Sequence, residues 1–289
     1  MKQKTRSLTA IAAAAVIGAA LLPTGSAAAA TPRVVALTPF NANTLAAIGV
    51  RPVAIGQQLG GRDRIDRRLR GVPVLPLTHP YGPNIEQLAK RNPRIVLTAP
   101  IWAKGTPRMK RLGMKVYSVD PQRVAAVPKA TVQIGRIVGR YRQAVAVARR
   151  QAARINAAKR GIKRRPRVLL VLGVGRGQYA FLPNTWGGDV IRHAGGRLIT
   201  GGLKARGGWA RISDEWVVKQ NPDVIIAVPH SDEKNIPSIA RYLARKPGWR
   251  KTKAARRGRI YISTGNSLLQ AFTDPDRTIR DVRRKFLHN

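Results

Sequence analysis

Short apolar runs rich in β-branched residues alternate along the chain with stretches of helical period, the rhythm of an α/β protein. The runs predict strands over 33–37, 53–56, 72–77, 95–99 and 116–119, and a second set over 168–173, 198–200, 224–228 and 260–263. Between the sets, Val132, Ile137, Val138, Tyr141, Val145, Ala148, Ala152 and Ile155 recur near i, i+3/i+4 spacing. They predict one helix over about 124–159, with Pro128 tolerated in its first turn. Roughly 30 helical residues reach about 45 Å, more than one small lobe is wide. The pattern thus predicts an α/β fold class: two Rossmann-like α/β lobes, 31–122 and 163–289, joined by one long connecting helix over 123–162.

An internal echo supports two lobes. The stretch from Glu86 through Asn92-Pro93 to Pro100 aligns without a gap with that from Glu215 through Asn221-Pro222 to Pro229. Each reads as a helix opened near a Glu, broken at Asn-Pro and followed by a buried strand. Helix-turn-strand units in general share this grammar, so the echo alone does not prove a repeat.

The amino terminus reads as a targeting signal, residues 1–30. Lys2, Lys4 and Arg6 form a positive region, 8–22 an apolar core, and Ala27 to Ala30 the small residues a signal peptidase reads. An uncleaved anchor is the alternative, and the short alanine-rich core favours cleavage. The 289-residue chain has no Cys, which removes disulfides, thiolate metal sites, cysteine nucleophiles and a lipid-attachment Cys. No later apolar run has the length of a membrane span.

Charge is the outlying quantity. With 54 Lys+Arg against 13 Asp+Glu the formal net charge is +41, a statement about partners or habitat and not about fold. From Pro121 to Gly188 there is no acidic residue, and Arg142, Arg149, Arg150 and Arg154 would lie along the connecting helix. A secreted polyanion-binding protein for nucleic acid, lipid phosphate or cell-wall polymer is therefore an alternative function. Against it stand the absence of a nucleic-acid module and an aromatic content of 5%. A basic surface set by habitat or genome bias, or one that attracts an anionic ligand, would give the same composition.

Five segments carry a family resemblance. They are Arg33 to Gly49, Gly82 to Pro93, Leu112 to Tyr117, Trp209 to Glu215, and Pro247 to Trp249 through Arg259-Ile260-Tyr261. In order and spacing the chain resembles the periplasmic solute-binding proteins of ATP-driven (ABC) importers for ferric siderophores, haem and vitamin B12. The resemblance implies a ligand cleft between the lobes, little hinge closure, an exported periplasmic monomer, a permease dimer as partner, and binding without catalysis or a resident cofactor. It also implies that Glu86 and Glu215, one per lobe, dock on permease arginines, chemistry that suits a carboxylate. Ser213 would cap the helix carrying Glu215, a structural role acidic residues at helix starts commonly share. Many relatives carry Pro-Asp before the first-lobe strand, where this chain has Pro93-Arg94; the second lobe keeps Pro222-Asp223.

Ligands in open α/β sheets sit at the carboxyl ends of strands. The loops there offer Phe40, Asn41, His79, Pro80, Tyr81, Ile101 and Trp102 from the first lobe. From the second they offer Gln178, Tyr179, Trp186, Trp209, Arg211 and His230. The expected ligand contacts are Phe40, Asn41, His79, Tyr81, Trp102, Tyr179, Trp209 and Arg211, with Trp209 foremost because the resemblance implies a cleft aromatic at its spacing before Glu215. Apolar aromatic walls suit a flat macrocycle or chelate. His79 and Tyr81 raise direct axial ligation of haem iron, a question the sequence leaves open. Four His are too few for a compact zinc or manganese cluster. Gly173-Val-Gly175-Arg-Gly177 follows a strand but lacks the dinucleotide pattern and its acidic partner, and no Walker loop or nucleophile elbow is present.

Overall fold

Strand period two decides which face of each sheet is shared and which is private. In the computed structural model, which describes residues 32–57, 64–203, 207–231 and 233–288, two large sheets and a two-stranded one lie within the compact unit that spans Thr31–Asn289. The segment read as a targeting signal lies outside the described residues. The first lobe runs β1 (Val34–Ala36), α1 (Pro39–Ala47), β2 (Ala54–Gly56), β3 (Val74–Leu75), β4 (Leu77–Thr78), β5 (Gly82–Pro83), α2 (Ile85–Ala89), β6 (Ile95–Thr98), α3 (Thr106–Arg111) and β7 (Lys115–Ser118). Its parallel sheet has the order β3-β2-β1-β6-β7. Helices α4 (Val127–Ile137) and α5 (Tyr141–Ala158) follow.

The second lobe runs β8 (Arg167–Val174), β9 (Gly177–Phe181), α6 (Trp186–His193), β10 (Arg197–Leu198), β11 (Trp209–Arg211), α7 (Asp214–Gln220), β12 (Val224–Pro229), α8 (Ile236–Ala244), α9 (Lys253–Arg256), β13 (Ile260–Ile262) and α10 (Pro275–Val282). Its sheet has the order β11-β9-β8-β12-β13, with β10 also on β8. The fold is the expected two-lobed α/β arrangement. Val34 and Ala36 of β1 join Val168 and Leu170 of β8 in one core that spans both lobes. The alternate residues Val35 and Leu37 face a first-lobe core with Leu88 and Met109. Leu169 and Val171 face a second-lobe core with Leu243 and Trp249. Both faces of each sheet are covered, so the central strands read as continuous apolar runs.

The single long helix expected over 124–159 is instead two helices packed on each other. Val138 ends α4, Gly139 takes φ +71°, and the Arg140 N–H returns to the Gly135 carbonyl at 2.7 Å. That is a Schellman closure, which needs a residue tolerant of the left-handed region. Gly135 then lets α5 approach: a Cβ there would lie 2.2 Å from the Ala144 Cβ. The bridging element is α5, whose 18 residues reach only about 27 Å. Its buried Gln151 accepts from the Thr131 hydroxyl at 2.9 Å and donates to the Thr273 carbonyl at 3.0 Å. The Arg283 guanidinium caps its end through the Ala158, Arg160 and Gly161 carbonyls.

The internal echo has a common backbone form. α2 and α7 both run into an Asn at φ +44°, Asn92 and Asn221, followed by Pro and a central parallel strand. The departure at Arg94 has a counterpart on the opposite strand. In the second lobe Asp223 accepts from the Arg167 N–H at 2.9 Å, whereas in the first Arg33 donates to the Asn92 and Arg91 carbonyls at 3.0 and 2.7 Å. The glycine run at 173–177 is a hairpin: Val174 pairs with Gly177 and Gly175 sits at φ +55°. The strands β9 and β11, unforeseen in the sequence, follow from that turn.

Candidate functional site

A cleft of about 590 Å³ opens between the two sheets. The first lobe lines it with groups just past strand ends: Leu37 and Thr38 after β1, Pro100 to Trp102 after β6, and Asp120 to Gln122 after β7, joined by Gln57 and His79. The second lobe adds Leu172 of β8, His230 directly after β12, the Asn184–Trp186 turn that opens α6, Trp209 of β11 and the 269–271 segment. Most of the first-lobe positions, and His230, lie at the carboxyl ends of parallel strands, where ligands of open sheets gather.

Three of the eight expected ligand contacts line this cleft: His79, Trp102 and Trp209. His79 stands edge-on to Trp102, ring centroids 6.1 Å apart, and Trp209 edge-on to Phe181 at 6.2 Å. Ile101, Trp186 and His230 of the wider loop set line it as well. The Trp186 indole donates to the Ser267 carbonyl at 2.9 Å, which fixes its ring.

The other five lie elsewhere, each for a local reason. Thr38 caps α1 and Pro39 opens it, so Phe40 turns into the core shared by the lobes and is fully buried. Asn41, equally buried, donates to the Thr98 carbonyl at 3.4 Å and ties α1 to β6. Tyr81 is 54% exposed outside the cleft. Tyr179 and Arg211 face one another across the β9–β11 register, away from the cleft lining. Gln178 is buried and donates to Asp214 at 2.8 Å, beneath α7.

The sequence reading missed Asp120. It lies two residues past the end of β7, in a strand-end loop of the kind that feeds a cleft. Burial pushes its carboxyl up to about 7, while the Thr38 and Gln122 side chains pull the other way. Oδ2 accepts from Gln122 Nε2 at 3.3 Å, and Oδ1 is sealed from solvent without a close hydrogen bond. His230 is held below the ordinary histidine range by burial and by His79, so it is a neutral imidazole at pH 7. Its Nδ1 is sealed and unpartnered, and its backbone N–H bonds the Gly173 carbonyl at 2.7 Å. Among the described residues no group of three or more His, Cys, Asp or Glu could hold a metal ion.

Glu86 and Glu215 occupy matching places. Both are exposed in the first turn of a short helix, one capped by Asn84 and the other by Ser213. The Ser213 hydroxyl holds the Glu215 carboxyl below its usual range. Beneath Glu215, the buried Lys246 ammonium pairs with Asp214 at 3.0 Å and bonds the Tyr242 hydroxyl at 3.3 Å.

The periplasmic binding protein family model matches residues 34–266. The chain belongs to the periplasmic binding protein family. This is a family of binding proteins and not of enzymes, and its members act outside the cytoplasm. The binding protein is 28% identical over 245 residues to a cobalamin-binding protein of Halobacterium salinarum, covering 82% of this chain and 64% of the relative. The chain thus spans less than two thirds of that relative's length. It is 26% identical over 204 residues to the high-affinity haem uptake protein IsdE of Staphylococcus aureus, 68% of each chain. In fold it is similar to an ABC transporter substrate-binding protein of Listeria monocytogenes, with a TM-score of 0.76 at 17% identity over 90% of this chain and 100% of that one. It is similar also to S. aureus IsdE complexed with haem, with a TM-score of 0.74 at 22% identity over 88% and 98%.

Proposed function

We propose that this protein captures a metal chelate of the haem, corrinoid or ferric siderophore kind outside the cytoplasm and hands it to the permease dimer of an ABC importer. The observation that carries the reading is the cleft itself, walled by Trp102, Trp186 and Trp209 and bearing one imidazole from each lobe, His79 and His230. Aromatic faces hold a flat macrocycle, and imidazole is a ligand for a free axial position of its metal. The metal belongs to the cargo, and the protein brings no cofactor of its own. Relatives named for cobalamin binding and for haem uptake support the same class. A removed leader over 1–30, a monomeric binding protein, and docking through Glu86 and Glu215 complete the proposal.

Titration of the protein with haemin, cyanocobalamin and a ferric hydroxamate, followed by tryptophan quenching and cargo absorbance, tests it. One cargo should bind saturably and tolerate high salt; failure of all three sinks the reading. Reversing charge at Glu86 and Glu215 together should leave affinity unchanged and abolish uptake. The exposed Arg142, Arg149, Arg150 and Arg154 of α5 favour a second reading, capture of a polyanion. Binding to duplex DNA alone, fading steeply with salt, would select it.

A further inference from the structure

We infer that Asp120 makes capture by this cleft proton-linked and sets its preference, favouring a chelate whose rim carries N–H or O–H donors over one whose rim carries carboxylates. The inference rests on the chelate-binding reading above. Asp120 is the one carboxyl among the described residues that line the cleft. Gln122 from its own loop and Thr38 from the start of α1 face it, and the other titratable groups on the wall are His79 and His230. No charged side chain among the described residues perturbs it, so burial alone holds its proton. With one oxygen sealed and the other loosely held by Gln122, a ligand group arriving at this wall meets a carboxyl poised between its two forms near pH 7.

The two forms select opposite partners. Ionised, the carboxylate accepts from a ligand amide or hydroxyl and repels a ligand carboxylate. Protonated, it donates to a ligand carboxylate. A donor-rimmed ligand therefore draws Asp120 into its ionised form, releases a proton on binding and gains affinity as pH rises through 7. A carboxylate-rimmed ligand takes up a proton and loses affinity over the same range.

The test compares dicyanocobinamide, whose rim carries amides, with haemin, whose rim carries two propionates, between pH 6 and 8. Any pH effect through metal contact at the imidazoles is independent of Asp120 and persists in Asp120→Asn, so the informative quantity is how far the ratio of the two affinities moves in the native protein beyond its movement in Asp120→Asn. In the native protein the ratio should move up to about a hundredfold further toward the amide-rimmed ligand than in Asp120→Asn, about tenfold from each ligand. Calorimetry of the native protein at pH 7 in two buffers of different ionisation enthalpy gives a readout free of any variant: proton release with cobinamide, uptake with haemin. A ratio that is constant in the native protein, or that moves equally in Asp120→Asn, overturns the inference while leaving the chelate reading intact. Binding of neither macrocycle overturns both.

Discussion

Burying a carboxyl acts on stability with a sign that depends on its folded value. Asp120 titrates near 7 in the fold against an ordinary value of 3.8. The folded chain therefore holds a proton that the unfolded chain has lost between those limits, and stability falls as pH rises from about 4 to 7, then levels. Asp189 has the opposite sign. Burial would raise it, but hydrogen bonds from His193 and the Val124 N–H, together with Arg192, outweigh burial and hold it low, so its contribution is present above 3.8 and lost as pH falls further. Asp120→Asn should then gain on the native protein progressively from pH 4 to 7 and hold a constant lead above, worth about 1–2 kcal/mol given the partial solvent contact of the residue. Thermal melts across that range measure it; a lead independent of pH would show that burial does not hold the proton. At this scale His79 and Trp102 were legible as cleft-lining residues because loops after strands line clefts, and Trp209, which begins β11, was legible through the family resemblance. Phe40 was not, since a cap at Thr38 and a proline at 39 convert the same loop position into helix.

Elements were legible where a single period ran long and illegible where one glycine changed the path. All nine strands anticipated from apolar runs have a counterpart, yet the helix over 124–159 was read straight through Gly139, because the apolar spacing continues across it. The glycines at 173–177, whose spacing excludes a dinucleotide loop, turn a hairpin that apolar periodicity alone does not reveal. The α4–α5 pair offers a direct test. Gly135→Ala places a Cβ against Ala144 and beside the Arg140 carbonyl, 2.2 and 2.9 Å away, contacts that no side-chain rotation relieves. It should cost about 1–3 kcal/mol, the range for overpacking a fitted interface. Adding Ala144→Gly should recover part of that loss despite being destabilising alone in a helix interior, because the two atoms share one space. Denaturant melts of the two single variants and the double give the coupling. Strict additivity would mean that the helices do not meet at this point.

At the scale of the whole molecule, the two large sheets do not carry two independent cores. Phe40 and Ile134 from the first half, and Val190, Ile226 and Ile279 from the second, belong to one apolar cluster that passes from sheet to sheet by way of α5. Polar ties cross the same boundary. Arg64 reaches Thr278 at 2.8 Å and Asp274 at 3.6 Å while lying over the Phe272 ring, and Asp189 of α6 accepts from the Val124 N–H at 2.8 Å. Separating the lobes would expose the middle of that cluster, and each fully buried Leu, Ile or Phe side chain is worth about 1.5–3 kcal/mol. Neither lobe can melt while the other keeps its shared face covered. Differential scanning calorimetry should accordingly give one transition, with calorimetric and van't Hoff enthalpies in agreement, and with a midpoint that rises with salt as self-repulsion among the excess cations is screened. Arg64→Ala should lower that midpoint without splitting the peak. Two resolved transitions in the native protein would instead mean that each lobe carries its own sufficient core, and that the contacts through α5 are a hinge rather than a continuation of the interior.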